Sequence, residues 1–343
     1  MAPKRPNKRC RELEDEPGQA ASETPTVSAP TQTWTSHPEL WLEHGDIVLV
    51  CEKTGFRVGK CVLAANSSVF GEMFTAAAAH GEMFEGLPVL HLEDSEGDMY
   101  YLLKAMHLRL DIHRANFVVL APLLKLSSKY RFANLRADTI NILAAIFPST
   151  LISFSNTWKH LPADLDCFLA VELAQQYDVP IILPAAYYLS ALRSARVIIN
   201  IGSASLSTRS CCMVFRDELM DVVDKTLKDS YAIDTCIWKD KTHEDNILCP
   251  IDKCCHLRLN RTLCVEMWLR RLAGNIFTPS RVLIQPEGTG RACKSIETML
   301  DRHWSSIQQK IWHSLPSLCG FQDWEAIKAA HEASLRTTNE KQL

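Results

Sequence analysis

The sequence lacks the apolar segments that secretion or membrane insertion requires. No uninterrupted apolar run approaches the roughly 20 residues that span a bilayer, and the N-terminus is charged where a signal peptide has an apolar core. It also lacks an excess of either charge, since 37 basic and 40 acidic residues leave a formal net charge of -3. We therefore expect an intracellular protein, nuclear or cytoplasmic, without a membrane span and without a global attraction for nucleic acid.

The signatures of catalysis are missing as well. No Gly-x-Ser-x-Gly motif surrounds a serine, and the glycines at Gly288 and Gly290 are too few for a phosphate-binding loop. The sequence therefore predicts a protein that is not an enzyme and that uses no cofactor.

Cysteine, by contrast, is plentiful, with 13 residues scattered along the chain. In a reducing compartment most of them are expected to be small buried hydrophobes. One dense set of metal-capable residues consists of Cys249, Cys254, Cys255 and His256. A zinc site needs four ligands in a tetrahedron, commonly from spaced cysteine pairs, and adjacent cysteines do not easily face one ion. We predict no metal site, and these four residues are the candidates if one exists.

Residues 1–38 have the composition of a tail. They hold almost no large apolar residue before Trp34, so they cannot bury enough surface to offset the entropy of ordering, and disorder is predicted. Their first part is basic, and an acidic stretch at 12–16 follows it. The basic residues are Lys4, Arg5, Lys8, Arg9 and Arg11. Two interpretations stay open, a nuclear import signal and solvated charges without a specific role.

A strand hairpin and a helix are predicted between residues 46 and 74. The apolar run Ile47–Cys51 favours a buried strand, and a polar break ending in Gly55 leads to a second strand through Phe56 and Val58. Helical spacing follows, with Phe70 among its apolar residues. A hairpin of this size needs a cover, which the helix can supply.

Further elements complete a first domain over residues 39–148. Leu87–Leu92 reads as a strand, Ser95 begins a capping box for a helix, and Pro122 is predicted to open another helix. Residues 149–343 show almost no strand alternation and are predicted to be mostly α-helical.

The first domain resembles the BTB/POZ family. The matching residues, in the family's order, are Asp46, Phe56, Val58, Lys60, Val62, Leu63, Ala64, Ser67 or Ser68, Phe70, Met73 and Phe74. Gly59 departs from the histidine usual there. The resemblance implies an α+β domain, a small sheet flanked by helices, ahead of the helical C-terminal domain and after the disordered N-terminal tail.

The resemblance also implies protein partners. The face around the opening aspartate commonly dimerises in the family, and Asp46 with Lys60 corresponds to a charged pair in a surface pocket of some members; the local alternative is that Asp46 caps the strand entry and Lys60 is merely solvated. Family members that serve ubiquitin ligases bind a cullin through a hydrophobic-x-Glu triplet. Met83, Phe84 and Glu85 fit it, although an ordinary loop with Phe84 turned into the core is the alternative.

Two later segments are similar to those of BTB proteins abundant in mushroom-forming fungi. They are residues 182–190 and the closing positions Leu315, Pro316, Gly320 and Trp324, with Cys319 where phenylalanine is usual. This similarity implies architecture more than function.

The resulting hypothesis is a protein-interaction scaffold, with a substrate adaptor for a cullin-type ubiquitin ligase as its sharper version. The alternative is a nuclear regulatory protein that recruits partners through the BTB domain. No zinc finger, homeodomain or basic helix is recognisable, so direct DNA reading is not expected.

Overall fold

The structure is a computed structural model that describes residues 33–80, 82–108, 110–237, 275–277 and 294–340. In these residues a five-stranded mixed sheet comes first, and helices follow it. The strands are β1 (Thr35–Trp41), β2 (Ile47–Cys51), β3 (Thr54–Val58), β4 (Met83–Phe84) and β5 (Leu87–Leu92), in the order β1-β3-β2-β5-β4 across the sheet. β2 pairs antiparallel with β3 and parallel with β5, and β1 pairs parallel with β3.

The predicted hairpin is confirmed. β2 and β3 are antiparallel neighbours in the register Leu49 to Phe56, and the polar turn between them holds Glu52 at a φ of 53°. All five residues of β2 are buried because helices cover one face of the sheet and aromatic side chains cover the other. A central strand buried on both faces needs the continuous apolar run that the sequence shows.

β1 begins earlier than the predicted tail boundary at residue 38. The backbone N–H of Thr35 donates to the Lys53 carbonyl over 2.9 Å, and Trp34 is buried. A Cβ placed on Gly55 would lie 2.4 Å from the Trp34 ring, so only glycine lets the ring lie this close to β3. Pro38 is tolerated because β1 is an edge strand.

The helices that flank the sheet are α1 (Lys60–Asn66), α2 (Ser68–His80), α3 (Glu96–His107), α4 (Phe117–Lys129) and α5 (Ala133–Ile146). Among them, α3 and α4 begin with a side-chain cap. Ser95 accepts from the Asp98 N–H at the start of α3, as predicted. The predicted helix start at Pro122 is wrong, because Asn116 caps α4 through the Val119 N–H and Pro122 lies inside the helix.

The described residues that follow are helical, as predicted. Their helices are α6 (Leu151–Thr157), α7 (Cys167–Gln176), α8 (Leu183–Ala191), α9 (Ala195–Asn200), α10 (Leu206–Ile237), α11 (Lys294–Leu318) and α12 (Trp324–Glu340). α8 is buried throughout. Gly320, at a φ of 82°, allows the chain to turn after α11, and the Trp324 ring then stacks on Trp312 with centroids 5.2 Å apart.

Three hydrophobic clusters result in the described residues: a small one on the aromatic face of the sheet, and two larger cores to which α4 contributes. The sheet core joins Phe56, Phe70 and Leu126 under the helices of the sheet. The helical core joins Leu124 of α4 to the later helices, with Phe154 in edge contact with Tyr188 at 5.5 Å between centroids. The later helices therefore have a core of their own, and α4 joins that core to the sheet core.

Some predictions concern residues that the structure does not describe. The basic residues of the tail lie there, and so do the four candidate zinc ligands Cys249, Cys254, Cys255 and His256. In the described part of the chain, no group of three or more histidine, cysteine or acidic side chains is placed to hold a metal ion.

Candidate partner-binding surface

Asp46 and Lys60 lie next to each other, but the hydrogen bond between them uses the backbone of Lys60. The Asp46 Oδ1 atom accepts from the Lys60 N–H over 2.6 Å, at the first residue of α1. The Asp46 N–H donates to the Val58 carbonyl over 3.0 Å, which fixes the start of β2. A carboxylate at a helix N-terminus is favourable because it meets unpaired N–H groups and the positive end of the dipole. Asp46 therefore has a structural task whether or not a partner binds.

Gly59 separates this pair from a histidine of α3. A Cβ on Gly59 would meet Val62 and the His107 ring only at 3.9 to 4.0 Å, so space does not demand glycine there. The His107 Nε2 atom lies 3.4 Å from the Gly59 carbonyl oxygen, and burial lowers the pKa of His107. An imidazole therefore lies beside the Gly59 backbone, supplied by α3.

Met83, Phe84 and Glu85 form the tip of a tight hairpin. β4 pairs antiparallel with β5, Phe84 opposite Leu87. Glu85 and Gly86 between them have φ angles of 49° and 79°, and two positive φ values define a type I′ turn. Glycine adopts such a φ freely, whereas for glutamate it costs about 1 kcal/mol or more.

The three side chains of this triplet do not point the same way. Met83 is 57% exposed and Glu85 is exposed. Phe84 is half-buried and turns inward, with its ring in edge contact with Trp34 at 4.9 Å between centroids. The hairpin thus presents a thioether and a carboxylate to solvent and is anchored by the residue between them.

Sequence reasoning missed a set of hydrogen bonds that joins α3 to Glu39 of β1. The Tyr100 hydroxyl and the Lys104 ammonium both donate to the Glu39 Oε2 atom, over 2.8 and 3.1 Å. The hydrogen bond from Tyr100 is the main reason that the pKa of Glu39 is lowered, and the hydrogen bond between Lys104 and Tyr100 is the main reason that the pKa of Lys104 is raised. The four-residue spacing on α3 could have marked Tyr100 and Lys104 as one face, but nothing local links them to Glu39.

The cysteines in the described residues are free thiols. Burial raises the pKa of Cys51, Cys167 and Cys319 to about 12 and that of Cys212 to about 11. Since the thiolate is the nucleophilic form, a raised pKa disfavours nucleophilic reactions of these thiols near neutral pH.

None of the described helices is by itself long and apolar enough to cross a bilayer. One pair, Ala133–Ile146 with Leu151–His160, reaches the necessary length and composition together, and it is bent by 82°.

Residues 39–145 match the family model described as BTB/POZ domain. No similar protein was found among curated proteins. The fold is that of a BTB domain, a small mixed sheet flanked by helices, followed by a helical C-terminal region. The match covers under a third of the chain, and a BTB domain is a protein-interaction module.

Proposed function

We propose that this chain, whose residues 39–145 match the BTB/POZ domain, is a scaffold that acts as substrate adaptor for a cullin-type ubiquitin ligase. The observation that carries the proposal is the hairpin tip, where Met83 and Glu85 face solvent while Phe84 holds the hairpin on the sheet. An exposed apolar side chain beside a carboxylate provides both buried area and a charged hydrogen bond to a partner.

A double substitution tests the cullin contact. Met83→Ala with Glu85→Ala is expected to abolish retention of a purified cullin by the full-length protein, because both exposed groups are lost. The thermal unfolding temperature is expected to stay unchanged, since the Phe84 anchor remains. The matched control, Ile152→Ala with Asp138→Ala, removes an exposed aliphatic and an exposed carboxylate elsewhere and should retain cullin. Full binding by the Met83/Glu85 variant would rule the adaptor function out.

The charged pair is the second part of the proposal. Asp46 and Lys60 would serve a homodimer or another protein partner, and their adjacency at the start of β2 and α1 supports this. Lys60→Ala should weaken self-association of the full chain in light scattering while leaving its stability unchanged, because the Lys60 backbone keeps its bond to Asp46. Asp46→Ala would act on stability as well, so Lys60→Ala is the cleaner test, and unchanged self-association would argue against the pair.

The second candidate function is nuclear regulation through the same BTB module. It is favoured by the basic residues between Lys4 and Arg11. Deleting residues 1–16 should move the protein out of the nucleus if they direct import. An unchanged distribution would remove the main support for this candidate.

A relation to the BTB proteins of mushroom-forming fungi completes the proposal. Its support is the sequence similarity at Pro316, Gly320 and Trp324. Pro316 lies in the last turn of α11, Gly320 has the left-handed φ of a chain reversal, and Trp324 starts α12. A solved structure of such a fungal protein would test it, since the same three residue types should occupy the same turn.

A further inference from the structure

An acid-free stretch runs from residue 179 to residue 216. It contains no aspartate or glutamate and has four arginines, Arg193, Arg196, Arg209 and Arg216, in a chain whose acidic and basic residues otherwise nearly balance. Its first part forms the buried helix α8, and its second part forms α9 and the first turns of α10. The Arg216 Nη1 atom lies 3.9 Å from the Asp217 Oδ1 atom. The arginines of this stretch that form no ion pair with the described residues are therefore Arg193 and Arg196 around α9 and Arg209 at the start of α10.

The end of α9 and the start of α10 are joined by one of these arginines. The Arg209 Nη1 atom donates to the Ile199 carbonyl oxygen over 2.6 Å. Leu206 lies one turn before Arg209 on α10, so Ile199 and Leu206 flank the same junction. Ile198 is fully buried in the helical core and anchors α9, which leaves its neighbours in the sequence facing outward.

The outward residues are aliphatic and cationic. Val197, Ile199 and Leu206 are 44%, 57% and 72% exposed. Arg193 and Arg196 are exposed too, and in the part of the chain that the structure describes neither forms an ion pair. Glu172 does reach this junction, but its Oε2 atom accepts from the Ser205 N–H over 2.5 Å. We call Arg193, Arg196, Val197, Ile199 and Leu206 the arginine–aliphatic surface.

We propose that the arginine–aliphatic surface docks an acidic amphipathic segment of a partner protein, one that carries aliphatic side chains between its carboxylates. Charge complementarity is the argument: exposed guanidinium groups bind carboxylates through paired hydrogen bonds, and the aliphatic side chains between them supply area to bury. Arginine is also enriched in the centres of protein interfaces, where lysine is depleted, and the acid-free stretch contains no lysine.

The same residues fit other anionic partners less well. Recognition of an anionic membrane surface typically uses clusters of four to eight basic residues, and this surface exposes two arginines without bound carboxylates. Single-stranded nucleic acids stack their bases on aromatic side chains, and the arginine–aliphatic surface has none. The inference rests on the proposed scaffold function only in giving that scaffold a second partner site. The proposed cullin contact is a different site, on the β4–β5 hairpin.

Selection from a random dodecapeptide library against the full-length protein tests the proposal. Peptides with several Glu or Asp residues and Leu or Ile between them should be enriched. In fluorescence anisotropy, Arg193→Glu with Arg196→Glu should weaken the binding of the selected peptide about tenfold or more, as expected for loss of a central contact. Val197→Ser with Ile199→Ser should weaken the binding of the peptide as well. This second variant tests the surface independently if the charge reversal disturbs folding.

Two controls make the outcome decisive. Arg114→Glu changes an exposed arginine on the BTB side of the chain and should leave the peptide affinity unchanged. Met83→Ala with Glu85→Ala should also leave it unchanged, so a failed cullin contact and a failed arginine–aliphatic surface can be told apart. Binding of the native protein and of both surface variants to phosphatidylserine vesicles is measured alongside. The proposal is overturned if no consensus of acidic and aliphatic residues emerges, or if both surface variants bind the peptide like the native protein. It is also overturned if the variants keep the peptide and lose only their binding to the vesicles.

Discussion

The two hydrophobic cores differ in how far apart in the sequence their members lie. The sheet core draws on residues between Leu40 and Phe132, whereas the helical core gathers residues from Phe117 to Ile327. α4 belongs to both, with Leu126 on the sheet side and Leu124 on the other. The family match ends at residue 145, but the hydrophobic packing continues beyond that residue, because α4 contributes to both cores. A boundary in sequence similarity is therefore not a boundary in packing, and the helical region depends on the helices of the BTB domain.

The strongest test of this comparison removes one large ring from each core. Phe70 stacks on Tyr130 in the sheet core, and Phe154 lies among aromatic rings in the helical core. Phe70→Ala and Phe154→Ala should each lower the free energy of unfolding by about 3–5 kcal/mol. Because α4 couples the cores, both variants should show a single shifted denaturant transition by circular dichroism and by tryptophan fluorescence. A second, unshifted transition in either variant would mean that the cores unfold independently.

A smaller effect is expected from the buried cation that ties the two regions together. Arg136 of α5 is 3% exposed, and its Nη2 atom donates to the Tyr177 carbonyl after α7 and to the Ser334 hydroxyl of α12, over 2.8 and 3.2 Å. Burial lowers its pKa, and the carbonyl end of α7 favours its charge.

Arg136→Met keeps much of the volume and removes the donors. It should cost about 3 kcal/mol in urea unfolding, because buried acceptors lose their partner. The matched control is Arg114→Met, whose exposed side chain should matter by less than about 0.5 kcal/mol. A loss as small as that of the control would show that Arg136 does not link the regions.

Sequence reasoning succeeded where the determinants are local. The β2–β3 hairpin follows from an apolar run and a glycine-bounded turn, and the Ser95 cap follows from a four-residue box. It failed at the start of α4, where the Asn116 side chain caps a helix that begins at Phe117 and leaves Pro122 inside it. Pairing of β1 with β3 could not be predicted either, since Pro38 interrupts the strand pattern and the partner is elsewhere in the chain.

The candidate site shows the same division. A triplet pattern proposed Met83, Phe84 and Glu85 and left a Phe84 turned into the core as the alternative. The inward turn that the structure has depends on Trp34, a residue that composition assigned to the tail. The sequence predicted that Asp46 and Lys60 form a pair. The hydrogen bond between them comes from the Lys60 backbone N–H, and this depends on where α1 begins. No short stretch of the sequence indicates which residues contact each other across the sheet.

Acid should weaken both regions through one histidine in each. Burial lowers the pKa of His107 in α3 and of His331 in α12, where the nearby Arg136 charge adds to the effect. In the unfolded chain both protonate near the ordinary value of about 6.5, so the unfolded state binds more protons and stability is lost as the pH falls through and below that value.

Replacing these histidines should reduce the loss. Between about pH 7.5 and pH 5.5, on either side of the ordinary imidazole pKa, the melting temperature of His107→Gln with His331→Gln should fall less than that of the native protein. The exposed His113 supplies the control, His113→Gln, which should follow the native curve. Identical curves for all three proteins would contradict a lowered pKa at His107 and His331.

The smallest expected effect separates the stability of the β4–β5 hairpin from its binding. Glu85 has a φ of 49° in a type I′ turn, a conformation that asparagine accepts more readily than glutamate. Glu85→Asn should therefore raise the free energy of unfolding by about 0.5 kcal/mol while it removes the carboxylate proposed to meet cullin. Denaturant unfolding and cullin retention, measured on the same preparation, should move in opposite directions. If stability rises and retention persists, Glu85 is a strained turn residue without a binding role, and Met83 alone would have to carry the contact.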